Sequence, residues 1–383
     1  MHISERERDL PKAVLNDIMN AVEKDKSIIS LGAGEPDFKL PKPLQDYIKK
    51  VKDINHYTPS GGLKELREAL SKKLMKDNKI NVNPDNIIIT SGSQEAILLA
   101  LTSTLDVSER VVVPDPCYLG YISAIELVNA SPVSVPVNED CDFCFDPDKL
   151  RRSVLPRKTK GIIINSPSNP TGSVFSKKLL EQISDIAVDN DLWIYSDEAY
   201  EKIVYDKKHV SIGSLNGMSD RVATFQTFSK GYSMCGFRVG YCAGPPNLIR
   251  AMNKAHTYTS IAPSTLSQKV ALKALSLSPR YINSMVKEYR RRRDMIVMRL
   301  NSIGLHTIKP EGAFYTFSNI QNYSKDSFRF SKDLLNKAKV AVVPGAEFGV
   351  NGEGYIRCSY ATEYHKIEEG MNRIDKFLGK KTL

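Results

Sequence analysis

The sequence predicts an α/β protein, with a mainly parallel mixed sheet between helices in a large domain and a smaller α+β domain beside it. Three observations carry this. The chain has 383 residues, above the roughly 250–300 at which one core divides. Hydrophobic residues make up 41% and charged residues 26%, an ordinary globular balance that argues against disorder. Between residues 86 and 240, short β-branched runs alternate with amphipathic stretches, the pattern of parallel strands covered on both faces.

The elements follow in order. "SIISLGAGEPDF" is too rich in glycine and turn formers to open the main sheet, so residues 1–40 are expected to form an arm completing the smaller domain. In the large domain, 41–275, "NIIIT" runs into "SGSQEAILLALTSTL", "RVVVPDP" into "YLGYISAIEL" and "GIIINSPSNPTG" into "KKLLEQISDIAVDND", with "LWIYSDEAY" after it. Each short apolar run reads as a strand and each longer periodic stretch as a helix. From 276 to 383 the texture changes. The helical stretch "PRYINSMVKEYRRRRDMIVMRLNSIG" closes at Gly304, a C-cap glycine. Short strands in "GAFYTFSNI", "VAVVPG" and "GYIRCSY" and a last helix from "EYHKIEEGMNRIDKFLG" complete the smaller domain.

Composition narrows the function classes. A net charge of +10 draws in small anions such as carboxylates and phosphates. The densest basic run, Arg290–Arg293, fans around a helix axis instead of lining one face, which argues for a solvated helix surface and against nucleic acid. The cysteines, at 117, 141, 144, 235, 242 and 358, are scattered, so reduced thiols are expected. The C-x-x-C of Cys141 and Cys144 lacks the second ligand pair that zinc needs, and no metal is expected. No apolar run approaches the roughly 20 residues of a membrane span. The opening "MHISERERDL" lacks the apolar middle of a signal peptide, so a cytoplasmic protein is expected.

Open α/β sheets bind ligands at the carboxyl ends of their strands, and the candidate chemistry collects there. "TSGSQEAILLA" turns from strand to helix within three residues, so Ser93 and Gln94 offer free amides to a phosphate, although Ser-Gly-Ser is also ordinary N-capping. Tyr118, in "PDPCYLGY", stands where an aromatic can stack on a flat ring or simply pack the next helix. In "NSPSNPTG" the prolines and glycine fix a turn around Asn169. Asp197 ends an apolar strand, where a carboxylate needs a cation or several donors, and Tyr200 follows it. In "TFSKGYSMCGFRVG", Lys230 follows another strand, with Thr227 before it and Arg238 eight positions on. A lysine for a Schiff base, an aspartate for a protonated ring nitrogen, a phosphate cradle, an aromatic plate and an amide are the parts that hold pyridoxal phosphate. Arg238 and Thr227 would add to the phosphate site.

With "LGAGEPDF", "YTPSGGLKELREAL", "NSPSNPTG", "SDEAY", "SKGYSMCGFRVG", "AVVPGAEFG" and "YIRCSYA" in that order, the chain resembles the class I aminotransferases of fold type I, the prokaryotic aspartate and aromatic enzymes above all. The resemblance implies that Lys230 is the Schiff-base lysine and proton carrier, and that Asp197 holds the pyridine nitrogen. It implies that Tyr200 and Asn169 meet the ring hydroxyl oxygen, that Tyr118 stacks on the ring, and that Ser93, Gln94, Thr227 and Arg238 bind the phosphate. Tyr57 matches a tyrosine that reaches the phosphate from the partner subunit, which implies a homodimer. Arg357 matches the arginine that grips the α-carboxylate, with Asn169, Tyr118 and the backbone of Gly34 beside it. The resemblance thus implies ping-pong transamination between an L-amino acid, aspartate favoured or aromatic as the alternative, and 2-oxoglutarate.

One departure bears on the substrate. Some aspartate-using relatives carry a lysine at the position of Gln94, which here is neutral; Lys26 is the arm residue considered as a substitute. Three other readings are weaker. A carbon–sulfur lyase of this fold would carry a histidine in the Asn-Pro loop, a regulator would need a DNA-binding segment before the fold, and a dehydrogenase would need a G-x-G-x-x-G between strand and helix.

Overall fold

The computed structural model describes residues 3, 4, 10 and 14–379. Most of "MHISERERDL", on which the cytoplasmic expectation rests, lies outside the described residues. Twelve strands occur among those described: β1 (Ile29–Ser30), β2 (Ile87–Thr90), β3 (Arg110–Asp115), β4 (Ser131–Pro136), β5 (Thr159–Asn165), β6 (Trp193–Asp197), β7 (Val222–Thr227), β8 (Gly240–Ala243), β9 (Tyr315–Asn319), β10 (Val340–Ala341), β11 (Val343–Pro344) and β12 (Tyr355–Ser359).

Seven of them form one sheet in the order β2-β8-β7-β6-β5-β3-β4. Neighbours from β7 through β4 pair parallel, whereas β8 is antiparallel to both β2 and β7. The central strands are mainly apolar because helices cover both faces, whereas the edge strand β4 is half exposed. In β5, Ile162 and Ile164 point into one core with Leu180 and Ile183 of the Lys177–Asp189 helix. Ile163 points the other way, into a core with Ile97, Leu101 and Met252 of the Ser93–Thr104 and Pro246–Thr259 helices. That alternation is the two-residue period of a strand buried on both sides.

A smaller antiparallel sheet has the order β11-β12-β9, and β1 pairs in parallel with β10. Leu31, next to β1, shares a core with Tyr289, Phe314 and Ile367. The arm residues 29–31 therefore pack with C-terminal elements. The long helix runs Arg280–Ser302, and Gly304 follows it with φ +78°. No described helix is long and apolar enough to cross a membrane.

The solvated surface expected for Arg290–Arg293 is corrected by the structure. The Arg292 and Arg293 side chains are 7% and 1% exposed. The fanning that argues against a nucleic-acid stripe turns two of the four arginines inward. There Arg292 pairs with Asp37 and Glu288, and Arg293 with Asp206 and Asp294. Burial of a guanidinium is tolerated because its donors meet carboxylates.

Candidate active site

Strands β5, β6 and β7 lie side by side and end at Asn165, Asp197 and Thr227, with Asn165 directly opposite Asp197. A cavity of about 250 Å³ opens at these ends. Its walls include Gly34, Ser93, Gln94, Tyr118, Asn169, Asp197, Tyr200, Thr227, Lys230, Arg238 and Arg357. Residues up to 323 positions apart in the sequence thus converge as the strand-end rule expects. Tyr57 is the predicted site residue outside these walls, and it is 81% exposed. Lys26, the arm residue considered as a substitute cation, is exposed and does not line the cavity either.

Lys230 sits in the turn after β7, and its Nζ donates to the Gly34 carbonyl at 2.5 Å. Asp197 is buried, with Oδ2 accepting from the Tyr121 hydroxyl at 2.7 Å and Oδ1 from the Ala199 amide at 3.0 Å. Burial raises the Asp197 carboxyl above the usual range against the pull of those two hydrogen bonds. The Asn165 amide donates to the Asp197 carbonyl, and the Asn169 N–H to the Asn165 side chain. The Tyr200 and Tyr315 hydroxyls lie 2.8 Å apart. Burial, then Tyr315, pushes the Tyr200 phenol well up, so it keeps its proton and can donate.

Arg357 projects from β12 of the smaller sheet and is 2% exposed. Nη1 donates to Asn169 Oδ1 at 3.0 Å and Nη2 to the Gly32 carbonyl at 2.8 Å. The guanidinium carbon lies 4.4 Å from the Tyr315 ring centre and 4.9 Å from that of Phe348. Nε is buried and makes no hydrogen bond. Since Asn169 presents its oxygen to Arg357, its amide nitrogen remains as a donor.

At the other end of the cavity, Gly92 caps the Ser93–Thr104 helix with φ +86° and no side-chain cap. A Cβ there would lie 2.7 Å from Arg238 Nη2. Arg238, itself at φ +49°, donates to the Cys235 carbonyl at 3.0 Å. Amides at a helix start beside a guanidinium form an anion cradle. Tyr118 donates to Gln94 Oε1 at 3.1 Å and meets Tyr121 edge-on.

Tyr121, Asn165, Ser229 and Tyr315 also line the cavity, and the motif reading missed them. Tyr121 stands three residues beyond Tyr118, so helical phase was the available signal. Asn165 ends the same apolar run that led to Asn169. Nothing local marks Tyr315, which meets Tyr200 only through the fold.

A doubly covered sheet with this cavity at its strand ends, closed by an arginine from a smaller sheet, is the architecture of the fold type I transferases. The chain belongs to the class I and II aminotransferases, whose family model matches residues 26–374. It is 46% identical over 94% of its length to an aspartate aminotransferase of Pyrococcus abyssi, covering 93% of that protein. It is 42% identical to aromatic-amino-acid aminotransferase 2 of Thermococcus litoralis, with both chains fully covered. Among solved structures, the Thermus thermophilus aspartate aminotransferase with maleate superposes with a TM-score of 0.94 at 31% identity, over 98% of this chain and 99% of that one.

Proposed function

We propose that the protein is a pyridoxal 5'-phosphate enzyme that moves an amino group reversibly between an L-amino acid, aspartate favoured, and 2-oxoglutarate. The observation that carries this is the meeting of Lys230, Asp197 and Arg357 in one cavity. The residues fit the coenzyme. Asp197 is a buried carboxylate facing the cavity, which a protonated ring nitrogen would offset. The Gly92 cradle leaves room beside Arg238 that a side chain would fill. Arg357 keeps an unpaired buried Nε, as a carboxylate-binding group would.

When bound, the coenzyme supplies an electron sink that makes the substrate Cα–H acidic. Lys230 anchors it and, once released, carries the Cα proton on Nζ. Asp197 keeps the ring nitrogen protonated, and Tyr121 and Ala199 orient that carboxylate. Tyr200 and the free amide of Asn169 donate to the ring oxygen, and Tyr118 covers the ring face. Ser93, Gln94, Thr227 and Arg238 hold the phosphate. Arg357 grips the α-carboxylate through two parallel hydrogen bonds, next to Asn169 and the backbone of Gly34. Tyr57, exposed on its own chain, would complete the phosphate site of a partner in a cytoplasmic homodimer. In this reading residues 1–40, 41–275 and 276–383 act as arm, large domain and small domain.

A second reading, an aromatic or broad-specificity enzyme, is favoured by one observation. Among the described residues, the cations lining the cavity are Lys230, Arg238 and Arg357, and each already has a role, which leaves none of the three for a second substrate carboxylate. A visible spectrum tests both readings. The protein with coenzyme is expected to be yellow and to bleach on adding its amino donor, so aspartate, glutamate and phenylalanine, added singly, rank themselves. Lys230→Ala is expected to remove the band and nearly all turnover. A wild type that stays colourless with pyridoxal phosphate would overturn the proposal.

A further inference from the structure

Behind the cradle lies a histidine–glutamate pair that the proposed reaction does not use. His256, in the last turn of the Pro246–Thr259 helix, is completely buried. Its Nδ1 lies 2.9 Å from the Ser60 carbonyl, an acceptor, so Nδ1 carries a hydrogen. Its Nε2 makes no hydrogen bond but stands 3.5 Å from Glu95 Oε2, an ion-pair separation. A bare lone pair on Nε2 would be repelled by that carboxylate, whereas a hydrogen on Nε2 would be attracted to it.

Glu95 lies in the first turn of the Ser93–Thr104 helix, next to Ser93 and Gln94. Its Oε2 accepts the Ser91 N–H at 2.5 Å, and its Oε1 accepts from the Ser260 hydroxyl. Burial alone would raise the Glu95 carboxyl, but these partners and His256 bring it down to about 2. The Ser91 carbonyl in turn faces Arg238 Nη2 at 3.5 Å. Glu95 therefore fixes the turn that presents the cradle amides and meets the arginine. A bare carboxylate at this place would also repel the anion that the cradle is built for.

We propose that His256 and Glu95 are a positioning pair for the coenzyme phosphate. Glu95 holds the Ser91–Gly92 turn, and the His256 cation cancels the charge that Glu95 brings beside the phosphate. The inference rests on the coenzyme reading above. The same imidazolium ties the cradle to Ser60, in the segment that carries Tyr57, so both parts of the phosphate site share one anchor.

The test compares the affinities of pyridoxal phosphate and of pyridoxal, which lacks the phosphate, by spectroscopic titration. Wild type, His256→Asn, His256→Gln and the double variant His256→Asn with Glu95→Gln are compared, with thermal melting as the check on folding. Two single variants are used so that failure of one to fold leaves the other. Each single variant is expected to bind pyridoxal phosphate about tenfold more weakly while pyridoxal affinity is unchanged. The double variant, which removes both charges, is expected to recover most of the loss. Equal weakening of both compounds, or no recovery in the double variant, would overturn the pairing and leave His256 a packing residue. A wild type that binds neither compound would instead overturn the coenzyme reading.

Discussion

Arg357 shows how one side chain is prepared for a carboxylate. Its guanidinium is buried between two rings and held by the Asn169 side chain and the Gly32 carbonyl. Its rotamer is therefore set before substrate arrives, and little entropy remains to lose. Lysine lacks the planar fork. Arg357→Lys is expected to cost about 2–5 kcal/mol in binding every amino-acid substrate and to leave coenzyme affinity unchanged. Steady-state KM values for aspartate and phenylalanine, with a coenzyme titration, check this; a loss confined to aspartate would move Arg357 to the side-chain carboxylate. A second buried group works on stability. Lys73 Nζ donates to Glu201 at 2.6 Å, to Asn78 at 2.8 Å and to Gln226, and the Lys73 and Glu201 side chains are 9% and 11% exposed. Burial alone would raise the Glu201 carboxyl, but Lys73 and Lys202 bring it down to about 2. A carboxyl depressed on folding adds stability that is complete above the ordinary glutamate range and is lost as pH falls towards about 2. Lys73→Met removes the nearer cation from the buried carboxylate and leaves Lys202 at 3.6 Å. It is expected to destabilise by about 3–5 kcal/mol at neutral pH and to flatten the loss of stability between the ordinary glutamate range and pH 2, as denaturant titrations at several pH values will show.

At the scale of elements, the cradle depends on two glycines that let a strand, a turn and a helix crowd together. A Cβ on Gly240, at the start of β8, would fall 2.7 Å from backbone atoms of Gly92 and Ser93. Gly92 combines a left-handed φ of +86° with the close approach of Arg238. Gly92→Ala is expected to cost about 1–3 kcal/mol in backbone strain and to push Arg238 away. Melting temperature and coenzyme affinity should fall together; an unchanged affinity would take Arg238 out of the phosphate site. The cradle was legible because "TSGSQEAILLA" changes period from strand to helix at a glycine. Lys230 and Asp197 were legible for a related reason, each being a polar residue at the end of an apolar run. Tyr315 was not, because it meets Tyr200 from a different sheet 115 positions away. Arg292 and Arg293 were misread because helical phase alone gives the spread of side chains and not which side faces the core. The His256 and Glu95 pair escaped notice because neither residue breaks the pattern of its own helix.

Across the whole molecule, one short segment joins the two sheets at the cavity. The Leu31 N–H donates to the Ala341 carbonyl beside β1, and the Leu31 carbonyl accepts from Ser359 of β12. The Gly32 carbonyl accepts from Arg357 and the Gly34 carbonyl from Lys230. At the far end Asp37 takes two hydrogen bonds from Arg292 Nη1, at 2.8 and 2.9 Å, and Arg292 is braced by Glu288 four residues earlier. Cations from β12, from the turn after β7 and from the long helix therefore all hold residues 32–37. Two of those cations are the groups proposed to hold substrate and coenzyme, and the third lies outside the cavity walls. Loosening that third hold should let the wall drift without touching the phosphate site. Asp37→Asn keeps the shape and removes the charge, and for a partly exposed pair the cost is about 1 kcal/mol, or roughly a fivefold rise in KM for the amino donor. Coenzyme affinity is expected to stay constant, because the cradle lies at the opposite end of the cavity. Measured together, a raised KM with unchanged coenzyme binding would make the Arg292–Asp37 pair the fastening of the substrate-side wall. A parallel fall in coenzyme affinity would mean that the segment holds the whole site through Lys230, and an unchanged KM that the pair serves stability alone.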